Sequence, residues 1–227
     1  RDVTDNMDKY ELGIAVQKVY DFLWDELCDW YIEMAKVRLW KADENPKAAN
    51  DALWTLRTAL TEGLKLLHPY MPFITEEIYC TLLPEEESIM ISDWPVFQEA
   101  WVFPEAEKAV ESFKEAVRGI RNTRTEMNVP MNRKTHLYIV GKDTDTCTRY
   151  EACKKSFVNL AFAKEIHVQE NKDGIGEDAV SVVVSDAVVY MPLEDLVDRE
   201  KEMERLKKEQ ERLTKEIARC QGMLNNP

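Results

Sequence analysis

The apolar residues change period at Pro130, and that change divides the fold. Up to Met127 they recur at every third or fourth position; beyond Pro130 they come in short runs rich in Val, Ile and Tyr. A helix imposes the first spacing on its buried face, and a strand imposes the second kind of run. The chain therefore reads as a helical part followed by a small mixed part.

Within the helical part, residues 10–40 carry one stripe of Leu12, Val16, Val19, Leu23, Leu27, Trp30, Met34 and Val37, with a second flank of Tyr20, Trp24, Tyr31 and Ala35. The spacing predicts one long helix whose wide apolar face needs neighbours on more than one side, as in a bundle. The aromatic side chains at this spacing are expected in the core rather than stacked on nucleobases. Asn45 and Pro46 restart the chain as N-cap and first helical residue. The next stripe is Ala49, Leu53, Leu56, Leu60, Leu64 and Leu67, ended by the two prolines of His68-Pro69-Tyr70-Met71-Pro72-Phe73. Thr75 is expected to cap a short helix carrying Ile78, Tyr79, Leu82 and Leu83, with Glu76 and Glu77 near its positive end. His68 has no Asp/Ser or Cys partner placed for a triad and reads as a packed helix-end histidine. Residues 84–104 form a connector whose Trp94, Phe97, Trp101 and Phe103 suggest a strap laid on the bundle.

The segment from Pro104 to Lys134 begins acidic and ends basic. Its apolar stripe is Val110, Phe113, Val117, Ile120 and Met127. Arg124 falls near the centre of that stripe, Arg121 on its edge and Arg118 well outside. A buried arginine must be paired, so Arg124 forms an internal salt bridge, crosses a domain junction, or lies where the stripe opens into a groove. Arg118, Arg121, Arg124, Arg133 and Lys134 stand against Glu126 in a chain of net charge −13, a local reversal that offers an anionic partner a surface.

Beyond Pro130 the sequence predicts a strand at 135–140, a helix at about 145–163, a second strand at 165–169, a turn at 171–176, and a hairpin of 179–184 and 187–191 about Ser185-Asp186. Gly174 and Gly176 do not complete a dinucleotide fingerprint. After Pro192 a heptad can be written with Leu196, Met203, Gln210, Ile217 and Leu224 at a, and Arg199, Leu206, Leu213 and Cys220 at d. So polar a helix needs a partner strand. The turn residues Asn225-Asn226-Pro227 favour an antiparallel hairpin whose return strand lies outside the sequence over a parallel homodimer, although pairing with a second copy stays open.

With 44% hydrophobic and 32% charged residues the chain is globular. Its acidity argues against general DNA coating. The five cysteines form no CxxC pair and suit reduced thiols in the cytoplasm. No Cys/His cluster has zinc spacing, no apolar run approaches a membrane span, and no nucleophile–base pair supports a hydrolase. The opening on RDVTDNMDKYELG, without Met or signal peptide, reads as a piece of a longer polypeptide.

Several stretches together resemble one family. Residues 67–79 (LHPYMPFITEEIY) resemble the hallmark corner of the anticodon-binding helical domain of the class I aminoacyl-tRNA synthetases for valine, isoleucine, leucine and methionine. Residues 20–33 (YDFLWDELCDWYIE), residues 120–130 (IRNTRTEMNVP) and the terminal heptad ending LNNP are similar to the valyl-tRNA synthetases in particular. The resemblance implies a mostly α fold: an anticodon-binding bundle over 1–130, a small α+β module over 131–192 and the first strand of a coiled-coil arm over 193–227. It covers essentially the whole chain and corresponds to the C-terminal portion of those enzymes only. The HIGH-type and KMSKS-type motifs for ATP and the editing domain are absent from these residues, so the fragment is expected to be non-catalytic and to need no cofactor, ATP and magnesium belonging to the parent valine–tRNA ligase. The implied partner is valine tRNA, with no DNA or membrane partner and a monomeric parent. The bundle would hold the anticodon stem-loop and the arm would lie along the tRNA elbow. Arg118, Arg121, Asn122, Arg124, Asn128, Asn132, Arg133 and Lys134 are the candidate contacts, the amides for base edges and the cations for phosphates. The alternative is a non-enzymatic protein–protein module with a coiled-coil arm.

Overall fold

The computed structural model describes residues 1–130, 132–197, 210, 212–217 and 220–221. The chain is mostly helical, with one small mixed sheet, and divides into two compact units, Arg1–Phe103 and Pro104–Pro227.

The first unit is all helix and turn. Helix α1 spans Asp2–Asp8 and α2 spans Leu12–Asp21; a π-helical segment, Phe22–Ile32, then runs into α3, Glu33–Leu39. The expected single helix over 10–40 is thus present as one unbroken run from Leu12 to Leu39, with a π-helical middle that the period did not predict. Tyr10 has a left-handed φ of +60°, and its N–H and that of Glu11 return to Met7 and Asn6, ending α1 in a Schellman turn before α2 begins. Hydrogen bonds to i+5 in the π segment then add a residue to the turn, so burial steps from Trp30 to Ala35 instead of to Met34. Tyr31 reaches Ala52 O through its hydroxyl. Tyr20 and Trp24, expected in the core, lie on the surface with rings stacked 6.3 Å apart at 11°. No second helix covers their flank among the described residues.

Helix α4, Pro46–Leu67, packs against α2, the π segment, α3 and α5, Pro72–Leu82. Asn45 caps it as expected, its side chain accepting from Ala48 N at 3.1 Å. Gly63 lets α4 come close to the π segment: a Cβ there would stand 2.6 Å from Leu23 Cδ2. Thr75 does not cap α5. The helix starts at Pro72, and Thr75 is buried one turn inside it, donating to Met71 O at 2.8 Å and taking His68 Nδ1 at 2.7 Å. His68 is thus the packed corner histidine, with Met90 Sδ 2.9 Å from its other nitrogen. The connector is strapped on by Glu76, which accepts from Ile89 N, and by Trp94 Nε1, which donates to Thr4 Oγ1 at 3.0 Å.

The second unit is a four-stranded sheet with two helices on one face. Helix α6 is Pro104–Glu126; β1 is Thr135–Gly141, α7 Thr144–Leu160, β2 Ala163–Gln169, β3 Val180–Val183 and β4 Ala187–Met191. The strand order is β2-β1-β4-β3, with β1 parallel to β2 and antiparallel to β4. A parallel pair needs a crossover, and α7 supplies it. Leu137, Ile139, Val189 and Met191 of β1 and β4 are buried together with Phe113, Val117 and Ile120 of α6 and Phe157 and Leu160 of α7; α6 packs on β3, α7 on β1 and β2, and the Phe113 and Phe157 rings meet edge to face at 4.6 Å. Helix α6 therefore belongs by contact with the sheet, and the division falls at Phe103/Pro104, whereas the sequence limits were drawn at 130/131 and 192/193.

Helix α8, Leu193–Leu196, ends where Val197 turns extended, at φ −124° and ψ 131°. This interrupts the heptad written from Leu193, and Leu196 is buried rather than on a seam. Leu213 and Ile217 are helical and exposed. The heptad positions Arg199, Met203, Leu206 and Leu224, and the turn at 225–227, lie outside the described residues.

Candidate nucleic-acid interface

The last turns of α6 sort their polar residues onto two sides. Ile120 and Arg124 continue the line of Phe113 and Val117 towards the sheet, while Arg118, Arg121, Asn122 and Thr125 face solvent. Arg121 is tethered: its Nε donates to Leu160 O at 2.8 Å, satisfying a carbonyl at the negative end of α7. Arg118 borders a depression of about 530 Å³ that it shares with Lys108, Glu111 and Glu115.

Arg124 is only 4% exposed. Its Nη2 donates to Arg133 O at 2.6 Å and to Pro130 O at 3.1 Å, and its Nη1 reaches Thr135 Oγ1 at 3.5 Å. Its guanidinium carbon lies 5.3 Å from the centre of the Phe162 ring. Burial, and then the charge of Arg133, draw its pKa below the ordinary arginine value. The internal salt bridge weighed from the sequence is replaced by carbonyl acceptors, and its burial removes Arg124 from the exposed candidates. It acts on the interface through the loop that it holds.

Two left-handed residues frame that arginine. Asn128 has φ +54° and sits at the C′ position of α6: its own N–H returns to Thr125 O, and the N–H of Val129 returns to Arg124 O. The turn is what requires an asparagine-like residue there; its side chain stays exposed. Phe162 has the same φ just after α7, an uncommon conformation for so large a residue, and its carbonyl accepts from Thr135 N at 3.1 Å. Sequence reasoning missed Phe162, since nothing local marks a phenylalanine for a left-handed turn.

Past the turn, Asn132 and Lys134 are exposed and Arg133 is half-buried, donating from Nη2 to Glu194 O at 2.8 Å. Beside it, Asp195 accepts from His136 N at 2.8 Å and from His136 Nδ1 at 2.6 Å. Partial burial opposes its charge, but the two His136 hydrogen bonds outweigh it and hold the Asp195 carboxyl below its usual range. The start of β1 and α8 are thereby clasped.

A second polar knot ties the β3–β4 turn to both helices. Asp186 accepts from Ser112 Oγ at 2.8 Å, Arg149 Nη2 at 3.0 Å and Tyr150 OH at 3.0 Å. Burial raises its pKa, yet these three donors hold it below the ordinary aspartate value. The Tyr150 hydroxyl is pushed well above its ordinary value by burial and by Asp186. Glu115 accepts from the backbone and hydroxyl of Ser185. These are fold-locking groups.

Among the described residues, no set of three His, Cys, Asp or Glu side chains is placed to hold a metal ion, and no helix is long and apolar enough to cross a membrane. What the arrangement offers is an exposed helix face with two arginines and an amide, continued by a pinned loop with an amide and a lysine.

The family model for the anticodon-binding domain of tRNA ligase matches residues 1–139. The chain belongs to this family. Its match runs through the whole first unit, α6 and the pinned loop, ending within β1. Among curated proteins, the chain is 48% identical to a valine–tRNA ligase of Clostridium perfringens over all of its length, 46% to one of Clostridium acetobutylicum over all of its length, and 37% to that of Bacillus subtilis over 99% of it. The chain spans 25% of the length of each of these relatives. The match lies in their C-terminal region, outside the part that carries catalysis. The likeness to the valyl enzymes, read from residues 20–33 and 120–130 and the terminal heptad and expected over essentially the whole chain, is matched over all of it.

Proposed function

We propose that this chain is the tRNA-docking portion of a valine–tRNA ligase, and that the exposed face of α6 with the loop after it forms part of its RNA surface. The observation that carries the reading is the whole-chain similarity to valine–tRNA ligases, at 48% identity in the first case, together with the family match over residues 1–139. The geometry agrees with it. Arg118, Arg121 and Lys134 offer cations for phosphates, and Asn122, Asn128 and Asn132 offer amides for the edges of unstacked bases. Arg133 and Arg124 shape the loop that presents them. The parent would attach valine in an ATP- and magnesium-dependent reaction performed outside the matched span. The arm after α8 would reach along the tRNA elbow.

The test is titration of the chain with valine tRNA transcripts at two salt concentrations, with an anticodon-swapped transcript as control. The reading requires binding that weakens as salt rises and discriminates between the anticodons; equal affinity for both transcripts would refute anticodon recognition. Arg121→Ala should lower the slope of log K against log salt by about one. An unchanged slope would remove Arg121 from the phosphate contacts.

A further inference from the structure

The first unit contains an open groove of about 1120 Å³ that the tRNA reading does not use. Its apolar wall is formed by Phe22, Trp54, Leu66, Phe97, Trp101 and Phe103. Trp54 is 61% exposed and Trp101 58%, their rings meeting edge to face at 6.3 Å. Large apolar groups this exposed and this contiguous mark an interaction surface rather than ordinary scatter, and tryptophans are the side chains that anchor such contacts.

The groove's charge says what kind of partner fits. Its lining carries five carboxylates, Asp2, Asp21, Asp25, Glu26 and Glu62, against the cations Arg1 and Lys18. Lys18 pairs with Asp2 at 3.2 Å, Lys65 pairs with Glu62 at 3.0 Å, and Arg1 lies over the Phe97 ring at 3.9 Å; with Lys65 included, five carboxylates still face three cations and the rim stays net acidic. An acidic rim repels phosphate and attracts lysine and arginine. The partner is therefore a polypeptide with an apolar anchor and basic flanks, not nucleic acid. The relatives supply a source for it, because the matched span is only 25% of their length.

We infer that this groove is an intramolecular seat, occupied by an apolar, basic-flanked segment from the part of the parent ligase outside the matched span. Docking there buries the exposed tryptophans and sets the anticodon-binding unit rigidly on the rest of the enzyme. The inference rests on the family relationship, not on where tRNA binds, so the tRNA test and the following one fail separately.

The experiment is hydroxyl-radical footprinting of two proteins: this chain alone, and the Clostridium perfringens ligase with its matched quarter replaced by this chain. Oxidation of Trp54 and Trp101 should fall by roughly fivefold in the chimaera, in proportion to the area removed from water. Introducing Trp54→Glu with Trp101→Glu into the chimaera should restore oxidation at Phe97 and Phe103, because the buried carboxylates cannot be desolvated. Equal oxidation of the tryptophans in both proteins would overturn the inference. So would protection that appears only when tRNA is added, or protection of the chain alone that grows with its concentration, which would assign the groove to RNA or to a second copy.

Discussion

Arg124 Nη2 donates to the carbonyl of Arg133 at 2.6 Å, so a buried cation in α6 fixes the backbone of an exposed cationic loop nine residues on. The charge that looked like a contact from the sequence works instead from beneath the contacts. Removing it takes the side-chain donor from the carbonyl of Arg133 and leaves the carbonyl of Pro130 with only the Arg133 N–H, at 3.0 Å. Arg124→Ala should destabilise the chain by about 1–3 kcal/mol, and Arg124→Lys should recover only part of this because an ammonium cannot reproduce the planar fork. Urea unfolding at equilibrium measures both. A loss below about 0.5 kcal/mol for the alanine variant, the range of ordinary surface changes, would show that the loop is held by something else.

Lys134 and Arg118 should differ in their effect on tRNA binding. Lys134 is exposed in the pinned loop, whereas Arg118 shares its depression with Glu111 and Glu115. Those carboxylates already offset part of its charge. Lys134→Ala should therefore reduce the salt slope by about one, and Arg118→Ala by less. Slopes measured from titrations at several salt concentrations decide it; a larger effect at Arg118 would contradict the assignment.

Gly119 sets how closely α6 approaches β3. A Cβ there would lie 2.4 Å from Val182 Cγ1, and a β-branched side chain cannot readily swing away. Alanine gains about 1 kcal/mol in helix propensity over glycine, but overpacking costs about 1–3 kcal/mol. The clash should win, so Gly119→Ala should destabilise. In a Val182→Ala background the same change should become neutral or stabilising. The urea midpoints of the parent, the two single variants and the double variant form the cycle, and additive effects would mean that the contact does not limit the approach.

Acid should unlock the β3–β4 turn. The folded pKa of Asp186 is lowered, by Ser112, Arg149 and Tyr150 against burial; Glu115 and the Lys142 backbone N–H also face this turn. A depressed carboxyl binds its proton more weakly in the folded state than in the unfolded one. Its stabilisation is complete above the ordinary aspartate range near pH 4 and is lost as pH falls through that range towards the folded value. Asp195 has the same sign through His136. Unfolding free energy followed from pH 7 to pH 3 should drop steeply at the acid end. Asp186→Asn should lower stability at pH 7 by about 1–3 kcal/mol and flatten the acid limb; an unchanged limb would exclude Asp186 as its source.

Much of this protein is local, and local features were legible. The Asn45-Pro46 start of α4, the proline corner around His68, the strand runs and the hairpin at Ser185-Asp186 each follow from a few neighbouring residues, because capping, φ restriction and apolar period act within one or two turns. The family likeness was legible for the same reason, being carried by short contiguous motifs. The tertiary structure alone decided what depends on partners far along the chain. The parallel pairing of β1 with β2 requires α7 to cross over the sheet, and α6 joins that sheet because Gly119 admits Val182. The π segment shifts burial from Met34 to Ala35, since a one-residue change in the turn moves which face meets α4, and the Tyr20–Trp24 pair lies outside because no second helix among the described residues covers it. Arg124 was placed correctly on the buried line by its period, but its partners are carbonyls of a loop that only the finished fold brings beneath it. A sequence records that a charge is buried; which groups satisfy it is a property of the packing.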